Sequence, residues 1–266
     1  MRDQSPLNEV ANLPGVAEAV DEARAAIDRL QGHRVVRSRS AEVSAESALR
    51  GARASASLEG ADLSLENVRA GAESSPVARG AVRLSGELGT LLGTWHQAPR
   101  QVLARLHVLA ATDLVPSESL GRPRADRSVN DPLSLGAPPS PDEVSMRLDA
   151  LARILVSDTR APAVVVAAIT HGELLALRPF GRGDGTVARA AERLTLISRG
   201  LDPKALSSPE AGHLELAEGY GEAARDYVGG TQEGVAAWVR HCAQAVSLGA
   251  RESTAICEAL LRAGRK

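Results

Sequence analysis

The sequence predicts an all-α fold, and three observations support this prediction. Two stretches carry apolar residues at helical spacing: Val144, Leu148, Leu151 and Leu155 in the first, and Val235, Trp238, Cys242 and Val246 in the second. The apolar run from Ala163 continues to Leu177, which is longer than a typical strand. No alternation of strands and helices, the pattern that predicts a parallel sheet, surrounds the glycine-rich segment that follows this run.

The helix that begins near residue 141 has the best-defined start. Ser140 can cap it, Pro141 suits its first position, and Glu143 stands where a capping-box acid reaches back. The valines of 163–169 have strand propensity, but the length of the run favours a buried helix. Further helices are predicted at 15–31, 41–57, 76–95, 99–111, 163–177, 185–199, 208–225 and 231–247.

Three regions are predicted along the chain. Residues 1–90 form an N-terminal helical region, residues 91–248 form the core, and residues 249–266 form a C-terminal helix. Between Ser117 and Ser140 the chain is rich in Pro, Gly, Ser and Arg, which predicts a long loop or hairpin. Long ordered loops are often functional.

Composition excludes several classes of protein. With 31 basic and 33 acidic residues the net charge is −2, so we expect neither a nucleic-acid partner nor a membrane partner. The two cysteines, Cys242 and Cys257, are too few and too isolated for a disulfide framework or a metal cluster. No apolar run reaches the ~18 residues of a membrane span, and the N-terminus lacks the apolar core of a signal peptide. These features predict a cytoplasmic protein.

The segment from Arg178 to Arg189 carries the clearest site signal. Glycines at 181, 183 and 185 let the backbone turn tightly, and a helical run follows them. A glycine loop that leads into a helix N-terminus can bind an anion. Gly183-x-Gly185-x-x-Ala188 also matches the end of a dinucleotide fingerprint, but Arg178-Pro179 stands where that fingerprint requires a β-strand. We therefore exclude a Rossmann site.

The same segment resembles the signature His-Pro-Phe-x-(Asp/Glu)-Gly-Asn-Gly-Arg-x-x-Arg of the Fic (Fido) family. The positions that match are Pro179, Phe180, Gly183, Gly185 and Arg189. Three further features resemble the family: Ser55-Ala-Ser-Leu-Glu59-Gly60 is similar to its inhibitory helix motif, Gly121-Arg-Pro-Arg124 is similar to the stretch that leads into its target-binding flap, and Tyr220 and Trp238 stand in downstream helices as in many members. The resemblance covers roughly residues 15 to 248.

The resemblance implies a Fic-like helical fold with a small flap or hairpin loop. It also implies binding of a nucleotide triphosphate and transfer of its nucleoside monophosphate to a protein hydroxyl, as in the protein adenylyltransferases. Candidate phosphate-binding residues on this basis are Gly183, Asp184, Gly185 and Arg189, with Arg178 or Arg182 as a substitute ligand. A nucleotide such as ATP is therefore the candidate ligand, and the flap at 121–137 is the candidate surface for a target protein.

The chemistry of the signature is incomplete. Arg178 occupies the position of the general base, and a guanidinium cannot accept a proton at neutral pH. Arg182 replaces the acid that binds magnesium and offers no oxygen ligand. Asp184 places a negative charge beside the phosphate position, and Thr186 removes one phosphate clamp. We therefore expect no catalytic residue and no metal site in the signature.

The resemblance implies that Ser55, Glu59 and Gly60 are inhibitory residues and that Glu59 pairs with Arg189. A separation beyond ~6 Å would exclude that pair. His171, seven residues before Arg178, is a candidate substitute base, although a helix histidine satisfied by packing is the simpler interpretation. The other histidines lack metal-ligand spacing, and we assign them no role: His33, His96, His107, His213 and His241.

Three functions are compatible with the sequence. The first is a degenerate Fic protein without ordinary nucleotidyl transfer that binds a nucleotide or a protein. The second is an active nucleotidyltransferase with altered chemistry or substrate. The third is a structural helical interaction protein. A homodimer is compatible with all of them.

Overall fold

A computed structural model describes residues 6–61, 63–71 and 75–263. Within those ranges the chain is helical and contains no strand, which confirms the predicted all-α fold. The described helices are α1 (Pro6–Ala11), α2 (Val16–Gly32), α3 (Arg34–Leu58), α4 (Leu65–Ala70), α5 (Pro76–Trp95), α6 (Pro99–Ala111), α7 (Pro141–Val156), α8 (Ala163–Leu177), α9 (Asp184–Ser198), α10 (Pro209–Glu215), α11 (Ala217–Val228) and α12 (Gln232–Ala263). None of them is long and apolar enough to cross a membrane.

Two adjacent helices, α8 and α9, form the centre of the fold. Thirteen of the residues of α8 are buried, which explains why its sequence is apolar on every face. Helix α9 is almost as buried, although it carries Asp184, Arg189, Glu192 and Arg193. Buried charges need partners within the protein, so we expect each charged residue of α9 to contact polar groups of the neighbouring helices. Helices α2, α3, α5, α6 and α10 to α12 pack around this pair.

Most predicted helices are confirmed, including the ambiguous run that forms α8. Ser140 caps α7 as predicted, since its Oγ accepts the Glu143 N–H at 3.3 Å. The Glu143 side chain does not complete a capping box with Ser140 but accepts a bond from Arg147. The predicted helix at 41–57 is the second part of α3, whose backbone leaves helical geometry at Arg39. The short helices α1 and α4 were not predicted.

Two predicted helix limits are wrong. The segment 208–225 is not one helix, because the chain turns at Leu216 between α10 and α11. The predicted helices 231–247 and 249–266 are one continuous helix, α12, as far as residue 263; residues 264–266 lie outside the described ranges. The three predicted regions of the chain stay a prediction, although their limits at 90 and 248 fall inside α5 and α12.

The segment between α6 and α7 is an irregular loop rather than a hairpin. It contains one turn of 3₁₀-helix at Ser117–Ser119 and no strand in residues 112–140. Its backbone pairs with the loop between α8 and α9 at two points: the Arg124 N–H donates to the Pro179 oxygen at 2.8 Å, and the Asn130 N–H donates to the Gly181 oxygen at 2.7 Å. We call residues 121–137 the flap. These bonds hold the flap beside the signature segment.

Candidate functional site

The glycine-rich loop that joins α8 to α9 contains three residues in the left-handed backbone conformation. Arg178, the residue after α8, has φ 43°, and Gly181 and Gly183 have φ 80° and 73°. Glycine adopts this conformation without a steric penalty, whereas arginine does so at a cost. Gly183 is the N-cap of α9, so the first N–H groups of that helix are free to bind an anion.

Arg189 is the central cation of the site and is 1% exposed. Its Nη2 lies 2.8 Å from Glu59 Oε1 and also donates to the Ser55 backbone oxygen at 3.1 Å. Its Nε donates to Ser55 Oγ at 3.0 Å, and its Nη1 lies 3.4 Å from the Tyr220 hydroxyl. The predicted contact between Glu59 and Arg189 is therefore confirmed, while its inhibitory role stays a prediction.

The Glu59 carboxylate lies directly over the start of α9. A Cβ atom added at Gly185 would overlap Glu59 Oε1, so only glycine leaves room for the carboxylate at that position. Gly60 then turns the chain away with φ 83°. A carboxylate beside a helix N-terminus and an arginine is in the position that a bound phosphate favours. Glu59 thus places a carboxylate between Arg189 and the N-terminus of α9.

The Arg178 guanidinium binds the flap, so it is not free to bind a phosphate. Its Nη1 donates to the Gly136 oxygen at 2.9 Å and lies 3.1 Å from Asp131 Oδ2, and the residue is 3% exposed. Asp131 in turn accepts the N–H groups of Leu135 and Gly136. The ion pair therefore closes the flap over the loop at the position where the family signature has its base.

Arg124 is a second, buried anchor of the flap. Its Nε donates to the Arg178 oxygen at 2.9 Å, and its Nη2 donates to the oxygens of Pro139 and Leu177 at 2.7 and 3.2 Å. Burial lowers the pKa of this arginine. Carbonyl oxygens at the C-terminus of α8 carry partial negative charge, which stabilises a guanidinium there. Arg124 belongs to the sequence stretch that resembles the start of the family flap.

Asp184 carries less negative charge than the sequence suggests. It is 6% exposed, its Oδ1 accepts the Phe180 N–H at 2.9 Å, and its Oδ2 has no hydrogen-bond partner among the described residues. Burial raises its pKa to about 7, and the nearby Glu59 carboxylate adds to that rise against the opposing Phe180 bond. At neutral pH the side chain is therefore partly protonated, which weakens its repulsion of an anion.

A narrow cavity lies above these residues. The space between the flap and the start of α9 is about 430 Å³, including the part open to solvent, but the centre of a water molecule can reach only about 30 Å³ of it. Its lining includes Glu59, Arg178, Gly183, Asp184, Gly185, Arg189 and Tyr220. Only about one water fits freely. A nucleotide therefore needs the Glu59 side chain or the flap to move.

The structure resembles a solved protein structure, a Fic family protein from Desulfovibrio desulfuricans G20. The two superpose with a TM-score of 0.73 over 90% of this chain and 74% of that chain, at 22% sequence identity. The chain has a Fic-like fold. No known family profile matches the sequence, and no curated protein is similar to it.

Within the Fic-like fold, the predicted site residues separate into two groups. Gly183, Asp184, Gly185 and Arg189 meet at the start of α9 together with Glu59. Arg182 is exposed and is absent from the cavity lining, so the structure gives no support for the prediction that it is a phosphate ligand. Thr186 is buried and likewise absent from the lining.

His171 does not face the cavity either. It is fully buried, with Nδ1 at 2.8 Å from Glu192 Oε2 and Nε2 at 2.8 Å from the Tyr220 hydroxyl. Burial lowers its pKa to about 4, although the Glu192 carboxylate opposes that shift. A base must reach the target hydroxyl whose proton it takes, and His171 is not among the residues that line the cavity. The interpretation of His171 as a packed helix histidine fits the structure.

The core also contains a polar cluster that sequence reasoning missed. His171, Glu192, His213 and Cys242 are all buried, and their potential ligand atoms lie within 4.8 Å of one another. They come from α8, α9, α10 and α12 and are at least 21 positions apart, so no local spacing indicates the group. The prediction that His213 has no role stays a prediction. Of the remaining histidines, His107 stacks on Phe180 with ring centroids 4.2 Å apart.

Proposed function

We propose that this chain is a binding protein with a Fic-like fold that does not catalyse nucleotidyl transfer. Its loop and helix retain an anion site, which the protein's own Glu59 carboxylate fills in the closed form. A nucleotide phosphate takes that position when Glu59 moves away. The contact of Glu59 with Arg189 at 2.8 Å, directly over Gly185, carries the proposal.

The chemistry of the Arg178 position supports the absence of transfer. Its guanidinium is bound to Asp131 and Gly136, and a guanidinium is a hydrogen-bond donor that cannot take a proton from a target hydroxyl. His171 offers no replacement, because both of its ring nitrogens are engaged in the core. Three carboxylates line the cavity: Glu59, Asp131 and Asp184. Glu59 is paired with Arg189, and Asp131 is paired with Arg178 and bound to the flap.

A transfer assay tests this proposal. Wild-type protein and Glu59→Gly are incubated with radiolabelled ATP, CTP, GTP and UTP, with Mg²⁺ or Mn²⁺, in the presence of a cell lysate. We expect no labelled protein band in any lane, including self-modification. A band that appears with Glu59→Gly and disappears with Glu59→Gly/Arg189→Ala would show that transfer survives and that the proposal is wrong.

A second candidate function follows from the small space that remains in the cavity. Glu59 and the flap leave room for about one water molecule, as expected for an interaction protein that needs no nucleotide. In that case the exposed part of the flap, for example Arg127, contacts a partner protein directly. Calorimetry distinguishes the two candidates, since the interaction protein binds neither ATP nor ADP at millimolar concentration even when Glu59 is removed.

A further inference from the structure

We propose that His171, Glu192, His213 and Cys242 form a buried binding site for one late first-row transition metal ion, with zinc as the best match. The four side chains meet in the core between α8, α9, α10 and α12, and none of them lines the cavity at the start of α9. The proposal is independent of what that cavity binds. Two imidazoles, a carboxylate and a thiol form a mixed donor set that suits zinc rather than magnesium or calcium.

The distances leave room for the ion after small movements. Glu192 Oε2 lies 2.8 Å from both His171 Nδ1 and His213 Nε2, and no pair of the four donor atoms is more than 4.8 Å apart. Nitrogen and oxygen ligands of tetrahedral zinc are about 3.3 Å apart, given bond lengths near 2.0 to 2.1 Å. Glu192 therefore recedes from each imidazole by about half an ångström, and the widest pair closes by about 1 Å.

The outer contacts have the arrangement expected around metal-bound histidines. Each imidazole turns one nitrogen toward the cluster and the other toward a hydrogen-bond partner: His171 Nε2 toward the Tyr220 hydroxyl at 2.8 Å, and His213 Nδ1 toward His241 Nε2 at 3.1 Å. Such partners fix the tautomer and orientation of metal-ligating histidines. On metal binding each imidazole carries its proton on the outer nitrogen and donates it to Tyr220 or His241.

The charges of the cluster also favour a cation. Glu192 is fully buried, and its Oε1 has no hydrogen-bond partner within the described part of the chain. Its other oxygen, Oε2, faces the two imidazoles. Binding of a divalent ion releases the thiol proton to solvent, and the two anionic ligands then balance the metal charge.

All four residues are inaccessible to solvent, so the metal enters while the chain folds. The experiment therefore measures metal after refolding. Protein is unfolded in guanidinium with a chelator, refolded with either Zn²⁺ or Co²⁺, and freed of loose metal by gel filtration. We expect about one equivalent of metal per chain by mass spectrometry, and a thiolate-to-cobalt charge-transfer band in the cobalt form. We also expect that EDTA removes the metal from unfolded but not from folded protein.

Two ligand variants, each with a matched control, test which residues bind the metal. Cys242→Ser and His213→Asn are expected to bind at least about tenfold less metal and to lose the charge-transfer band. Cys257→Ser, which changes the other buried cysteine, and His96→Gln, which changes an exposed histidine, are expected to behave as wild type. Wild-type protein that refolds with zinc to native ellipticity and carries no metal would overturn the proposal. So would equal metal content in Cys242→Ser and Cys257→Ser. If Cys242→Ser fails to fold, the metal content and cobalt spectrum of wild-type protein decide.

Discussion

Removal of Glu59 is the perturbation whose effect the structure predicts most closely. Glu59→Ala leaves the Arg189 guanidinium buried, at 1% exposure, without a carboxylate partner. Breaking a buried ion pair from one side costs about 3 to 5 kcal/mol of unfolding free energy. Arg189 keeps its bonds to Ser55 and its contact with Tyr220, and the Glu59 side chain is 12% exposed, so we expect a loss of about 3 kcal/mol.

Urea denaturation measures this loss, with the fluorescence of the buried Trp95 and Trp238 as the signal. In a chain of 266 residues the expected loss lowers Tm by about 5 °C. Glu66→Ala, which removes an exposed glutamate from α4, is the control and should change stability by less than about 0.5 kcal/mol. Glu59→Gln, which keeps a hydrogen-bond acceptor, should fall between the two.

The same variant reports on the anion site. If Glu59 fills a phosphate position, inorganic phosphate or ADP should restore the stability of Glu59→Ala and leave wild type almost unchanged. A ligand at 100 times its Kd restores about 2.7 kcal/mol, which is most of the loss. A loss below about 1 kcal/mol would show that the pair does not stabilise the fold. Equal stabilisation of wild type and variant by phosphate would show that Glu59 does not compete with it.

Two further predictions concern the loop. The raised pKa of Asp184, about 7, means that the folded chain holds a proton that the unfolded chain has lost, so its contribution to stability is lost as pH rises from about 4 to 7. Asp184→Asn should therefore gain about 4 kcal/mol relative to wild type between pH 4 and pH 8 in denaturation curves, and a constant difference would contradict this. Arg178→Ala removes the bonds to Asp131 and Gly136, so trypsin should cleave the flap at Arg127 several-fold faster than in wild type. Arg153→Ala, on α7, is the control, and an unchanged cleavage rate would show that Arg178 does not hold the flap.

Helix positions were predictable where the pattern was local. Ser140 and Pro141 mark the start of α7, and the continuous apolar run marks α8, because both signals depend on near neighbours. The turn at Leu216 was not predictable, because neither glycine nor proline marks it and helical composition continues on both sides. The continuity of α12 was missed for the opposite reason: Gly249 resembles a helix end but is accommodated where α12 passes close to the Ser208 backbone.

The site shows the same division. The contact between Glu59 and Arg189 was predictable, since two motifs of one family define both partners. Two other features were not predictable: the Arg182 side chain is exposed to solvent, and Arg178 pairs with Asp131 of the flap. Both depend on where the flap lies in three dimensions, and sequence spacing does not encode that position. The cluster around Glu192 joins four helices, and only the three-dimensional packing brings its members together.

Calorimetry of nucleotide binding tests the central claim most directly. ADP and ATP are titrated, with and without Mg²⁺, into wild-type protein, Glu59→Ala and the control Glu66→Ala. Competition between the Glu59 carboxylate and a phosphate predicts at least about tenfold tighter binding to Glu59→Ala than to the other two, a difference of about 1.4 kcal/mol or more. Equal affinity in all three proteins, or no binding to Glu59→Ala at millimolar nucleotide, would contradict the claim that Glu59 occupies a phosphate site.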